Sequence, residues 1–222
     1  MGEGVIDGRG GETILGQTST WWNLADLARQ GGGQNNPHLV VLDHCDNFVL
    51  HGIKLMNSPR HFVNYENGSG FTAWKVRIWS PERARNTDGI DPGNCTNVTI
   101  THCYVHTGDD QVAIKALAGA PTTHMSITHN HFYSGHGMSI GSTTEGGASK
   151  ILVSDLTIDG ADNDLRIKSN MTRGGLVHDV VFEDVCIRDT ENPILVDTNY
   201  SAGASKANNR IPLARDITVR NT

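Results

Sequence analysis

The chain is poor in aromatic residues, which make up 6% of its 222 positions. It has no apolar run long enough to cross a membrane as a helix. Cations are outnumbered: 18 Lys and Arg stand against 24 Asp and Glu, a formal charge of −6. That balance argues against nucleic acid as a partner, although a few placed cations can still hold an acidic ligand. Cysteine is scarce. Cys45, Cys95, Cys103 and Cys186 form neither a CxxC pair nor a metal-ligand spacing, and they read as buried or half-buried free thiols. No signal peptide is read in the polar, glycine-rich opening MGEGVIDGRGG, and Met1 leading straight into a turn and strand suggests a truncated start. Helical spacing is missing from most of the sequence. The one helix expected is STWWNLADLARQGG, capped by Ser19 or Thr20, with Leu24 and Leu27 on one face and Gly31 at its end, inserted at the surface.

What the chain has in plenty is glycine, 25 residues of it, and short β-like runs. The length suffices for one domain, residues 1–222, with a substantial core. The first apolar residues of one series of runs are Phe48, Phe71, Val98, Met125, Ile151, Val180 and Ile217, in steps of 23 to 37 residues. Between them lies a second series around Ile90, Ile114, Ile140, Ile167 and Val196, in steps of 24 to 29. Two interleaved strand series of nearly equal period are the mark of a solenoid. The expected fold is all-β, a right-handed parallel β-helix. Equivalent residues on successive turns then stack about 4.8 Å apart. Cys45 and Cys95, two turns apart, are too distant for a disulfide.

The same period places the polar residues. Asp88 lies just before Ile90, Asp109 and Asp110 before Ile114, and His136 before Ile140, while Arg166 and Lys168 flank Ile167. Three carboxylates, an imidazole and two cations therefore share one flank over about 15 Å, the reach of a few sugar residues. Turn punctuation scatters its charges; these converge. Glycoside hydrolysis needs one protonated acid and one carboxylate to activate water or to attack. Crowded carboxylates supply both states, because they cannot all ionise easily. Arg and Lys suit a sugar that itself bears a carboxylate. The blander alternative is a polar solenoid face with ordinary surface cations. DGID invites a calcium reading but lacks the further spaced acids of a calcium loop, so no metal is expected. The five Asn-x-Ser/Thr matches, at Asn67, Asn94, Asn97, Asn170 and Asn199, matter only in a eukaryotic secretory route.

NTDGID, GDDQVAIKA, SGHGMSIGS and LRIKS, in this order and spacing, resemble the polygalacturonases of glycoside hydrolase family 28. GVIDGRGG, WWNLA, NSP and GFTAWK look like the bacterial endo-type members. The resemblance implies a right-handed parallel β-helix and hydrolysis of α-1,4 bonds between galacturonates with inversion. It implies Asp109 as general acid, Asp88 and Asp110 as the pair that activates water, and His136 beside the acid. Arg166 and Lys168 would bind the substrate carboxylate, Asn86 would touch substrate, and Tyr200 would support the sugar on the leaving side. No cofactor is implied. The partners would be polygalacturonate or pectin oligosaccharides, with no nucleic acid and no membrane, bound by a monomer that is secreted or periplasmic at full length. Family members usually carry more residues at both ends, so weak stability of this piece alone is expected. An exo-acting relative, a non-catalytic carbohydrate-binding β-helix and a calcium-dependent lyase are the rival readings.

Overall fold

Each coil of the chain begins with a break rather than a strand. Asn47, Gly70, Asn97, His124, Lys150, Asp179 and Asp216 each precede the first apolar residue of a run, and all have φ between +52° and +86°. Five residues later the break repeats, at Gly52, Lys75, His102, His129, Asp155, Asp184 and Asn221, with φ between +47° and +64°. Asn, Asp, His and Gly tolerate this left-handed conformation best; a lysine pays about 1 kcal/mol for it. These two columns of bends fold a continuous apolar run around a corner. The structure, a computed structural model, describes residues 3–31, 33–201 and 210–222.

The described strands form an eleven-stranded and a seven-stranded sheet, and every strand pair in them is parallel. The chain is a parallel β-helix. The apolar column read from the sequence pairs as expected: Phe71 with Val98, Val98 with Met125, Met125 with Ile151, Ile151 with Val180, and Val180 with Ile217. The sequence pattern shows two strand series; the fold has three. Runs such as FTAWKVRIW split at the second bend into Ser69–Trp74 and Arg77–Trp79, because the left-handed residue turns the strand direction. At one such corner the buried Asn130 replaces lost backbone pairing: its Nδ2 donates to Ile100 O at 2.9 Å and its Oδ1 accepts from Cys103 N at 2.9 Å. Stacking of equivalents is visible in His102 over His129 and Tyr104 over His131, each with ring centroids 4.8 Å apart.

The sheets enclose one cluster that includes Leu55, Phe71, Ile100, Ile127 and Phe132 from one side and Val63, Ile90, Val112 and Met138 from the other. Each such side chain, fully removed from water, contributes about 1.5–3 kcal/mol.

Helix α1 spans Trp21–Ala28, with Thr20 as its N-cap in a reciprocal capping box with Asn23. The expected Leu24–Leu27 face is not the docked one: Leu27 is 53% exposed and Ala25 is buried. The Trp22 indole sets the rotation, donating from Nε1 to Ser58 O at 2.9 Å, while Arg85 donates to Ala25 O at 3.1 Å. All four cysteines are free, and Cys186 is exposed rather than buried. No described helix is long and apolar enough to cross a membrane.

Candidate active site

The outer face of the seven-stranded sheet carries the site. Its register corrects the sequence reading by two residues. Ile90 pairs with Val112, not Ile114, and Val112 pairs with Met138. Asp110 therefore stands in line with Asp88, and Gly89 N donates to Asp110 O at 2.8 Å. A slip of two preserves which face each side chain takes, so the convergence survives it.

One oxygen from each of Asp88, Asp109 and Asp110 lies within 4.8 Å of the others. The three acids have different surroundings. Asp110 is buried and fully partnered: Lys168 Nζ donates to Oδ2 at 2.6 Å, Ser139 Oγ to Oδ1 at 2.8 Å, and Arg166 Nη2 also to Oδ1. Arg166 and Lys168 reach it from the strand Asn163–Lys168, whose alternate residues Leu165 and Ile167 enter the core. Asp109 is half-buried. Its Oδ1 accepts from Asp110 N at 2.9 Å and its Oδ2 from Asn86 Nδ2 at 3.3 Å. Burial, then the charges of Asp88 and Asp110, push its pKa up to about 7 against the pull of His136 and Lys168. Asp88 is buried, and its Oδ1 has no hydrogen-bond partner among the described residues.

His136 N donates to Asp109 O at 3.1 Å, which seats the imidazole beside that acid. Its Nδ1 pairs with Asp162 Oδ1 at 2.7 Å. Tyr200 is half-buried, and Lys168 Nζ lies 5.2 Å from its ring centroid. Asn170 helps to place it, donating to Tyr200 O at 2.9 Å. The structure thus gathers all eight residues singled out from the sequence: Asn86, Asp88, Asp109, Asp110, His136, Arg166, Lys168 and Tyr200.

Among the described residues, two trios could offer ligands to a cation: His61 with Asp88 and Asp91, and Asp88 with Asp109 and Asp110. Side-chain cations already stand there. Lys115 Nζ lies 2.5 Å from Asp91 and 3.5 Å from Asp88, and both oxygens of Asp110 are taken by Arg166 and Lys168. A cleft of about 470 Å³ opens beside His136, rimmed by Glu82, Asp162, Asp189 and Glu191. A larger hollow of about 950 Å³ lies on the other sheet around Lys54, Lys75 and Arg77, and none of the three acids lines either one. Chemistry rather than volume assigns the site.

The sequence matches the family model "Glycosyl hydrolases family 28" over residues 1–222. The chain belongs to glycosyl hydrolase family 28. It is 43% identical over 221 residues to an endo-polygalacturonase of Pectobacterium carotovorum subsp. carotovorum, covering 99% of this chain and 54% of that one. To a polygalacturonase of Ralstonia solanacearum it is 39% identical over 239 residues, covering 91% and 45%. The solved polygalacturonase from Erwinia carotovora ssp. carotovora superposes with a TM-score of 0.93 at 42% identity, covering 99% of this chain and 59% of that one. The chain spans about half the length of the curated relatives it matches.

Within this family 28 chain, sequence reasoning passed over His61, Asp91, Lys115 and Asp162. A signal existed for three of them. Asp91 and Lys115 are charges set inside the buried runs DGID and VAIKA, and Asp162 sits one residue from the register position of His136 on the next coil. His61 offered none, being one of eleven histidines.

Proposed function

We propose that the chain carries the catalytic cleft of a polygalacturonase that cuts α-1,4-galacturonosyl bonds within polygalacturonate by single displacement. The observation that carries this reading is the division of labour among three crowded acids. Asp109 has its proton affinity lifted to about 7 and is only half-buried, so it can protonate the leaving oxygen near neutral pH. Asp88 and Asp110 hold the attacking water. His136, oriented by Asp162, sits against Asp109 and helps to set its proton. Arg166 and Lys168 stand against Asp110, and in a chain of net charge −6 they offer the fixed positive charge that a uronate carboxylate needs. Asn86 reaches substrate from beside Asp109, and Tyr200 supports the neighbouring sugar. The acidic residues Glu82, Asp162, Asp189 and Glu191 around the hollow beside His136 repel a uronate there.

The acids are closer than the ~6.5–9.5 Å usual for single displacement. Neither Asp88 nor Asp110 is free to attack carbon instead, because Asp110 is tied at both oxygens and Asp88 is sunk in the floor. No cofactor takes part. All groups come from one chain, which fits a monomer. The polymer substrate belongs to the plant cell wall, so the protein acts outside the cytoplasm, secreted or periplasmic.

The test is product analysis on polygalacturonate, wild type beside Asp109→Asn. Mixed oligomers of β configuration at first release, lost in the variant, support the reading. Monomer or dimer alone moves it to exo action. Initial α product refutes single displacement, and binding without cleavage refutes the enzyme.

A further inference from the structure

Beneath the three acids lies a second charged layer that the roles above leave unused. Asp91 is 2% exposed. Its Oδ2 accepts from Lys115 Nζ at 2.5 Å and lies 2.7 Å from His61 Nδ1. With Nδ1 engaged there, the other ring nitrogen of His61 faces Asp88: Nε2 lies 3.5 Å from Asp88 Oδ1. Lys115 Nζ lies 3.5 Å from Asp88 Oδ2. These contacts are too long for firm hydrogen bonds but close enough to act through charge.

Asp88 has an electrostatic problem. Carboxylate oxygens of Asp109 and Asp110, from the adjacent coil, crowd within 4.8 Å of its own. Asp91, close by on its own coil, adds a third negative charge. The cations that the described residues set within 4 Å of Asp88 are Lys115 and His61. We propose that Asp91, Lys115 and His61 form a positioning layer that keeps Asp88 ionised and in place while Asp109 holds the proton.

The inference deepens the hydrolase reading above and rests on it for its kinetic consequence. Asp91 anchors both cations and is itself held at about 2: burial raises its pKa, but Lys115 and then His61 pull it down. His61 is held above its usual value, since Asp88 and Asp91 outweigh the effect of burial. Lys115 is likewise raised by Asp91 and Asp88 against burial. Behind them the ring of His38 meets that of His61 edge-on, centroids 4.5 Å apart. Burial and the neighbouring His61 lower His38 to about 4, so it closes the layer as a neutral group and takes no charge from it. Without the layer, Asp88 competes with Asp109 for the proton, and part of the population carries the acid on the wrong side of the bond.

The experiment compares wild type, Lys115→Met and Lys115→Arg by the pH profiles of kcat and KM on polygalacturonate. The expected result is an acidic limb of kcat moved up by about one pH unit or more in Lys115→Met, hence a roughly tenfold loss one unit below the wild-type limb. KM stays within about twofold, since the layer does not touch substrate, and Lys115→Arg brings the limb back. A folded Lys115→Met with an unmoved limb, or with the same loss at every pH, overturns the proposal. If Lys115→Met does not fold, His61→Gln carries the same test: a raised limb supports the layer, and an unmoved one overturns it. Carboxyl-carbon NMR titration of Asp88 in wild type and variant reads the shift without substrate. An inactive wild type therefore sinks the hydrolase reading alone, and the titration still decides the layer.

Discussion

Replacing Asp109 by asparagine should abolish cleavage and stabilise the fold at the same time. The carboxyl rises from 3.8 to about 7 on folding, a change of about 3 units. At ~1.4 kcal/mol per unit this is worth about 4 kcal/mol. The sign follows from the raised folded value. The contribution is fully present below the unfolded pKa near 4 and is lost as pH climbs toward 7, where the native state must hold a third crowded negative charge. Asparagine never carries that charge. Because Asp88 and Asp110 share the burden, about 2–4 kcal/mol is the expected gain at pH 8.5, fading to nothing near pH 4. For a chain of this size that is a rise of roughly 4–16 °C in melting temperature. Calorimetric or fluorescence melts of both proteins from pH 4 to 8.5 measure it. A variant no more stable than wild type at pH 8.5, or a gain that does not grow with pH, refutes the account of Asp109 as the proton-holding acid.

Two further substitutions probe the remaining contacts. Arg166→Met removes one of three partners of the buried Asp110 carboxylate; urea unfolding should show a loss of about 3 kcal/mol, and KM for oligogalacturonates should rise about tenfold. Asp162→Ala frees the His136 imidazole from its 2.7 Å contact; kcat should fall roughly tenfold with the melting temperature unchanged, since Asp162 is half-exposed.

The solenoid and its site were legible for a specific reason. A period of about 27 residues, repeated six times with β-branched residues in phase, fixes which residues stack, and seven in-phase apolar positions from Phe48 to Ile217 are hard to produce otherwise. What escaped was local conformation. Nothing about the apolar pattern of FTAWKVRIW marks Lys75 as a left-handed corner, because lysine has no preference for that conformation; only the column it shares with His102 on the next coil reveals it. The short connection from Ile90 to Val112 was misread by two residues, since DDQVAI offers two apolar positions of the same parity. The supporting layer of His61, Asp91 and Lys115 was hidden for another reason. Its members meet only through packing between coils, and burial of a charge is invisible until its counter-charge is located.

The paired columns of left-handed bends carry a consequence for how such a chain can change. Each coil passes two fixed corners five residues apart, and the corner at Asp216 still aligns with that at Asp179 although 37 residues separate them, where earlier coils use 23 to 29. Surplus length is thus absorbed outside the corners and leaves no phase error behind. Insertions in the connections can lengthen the walls of the cleft, and so alter which polymers enter it, while the floor under Asp88 and Asp110 keeps its atoms where they are. Tolerance of length and intolerance of phase are, in this architecture, the same property.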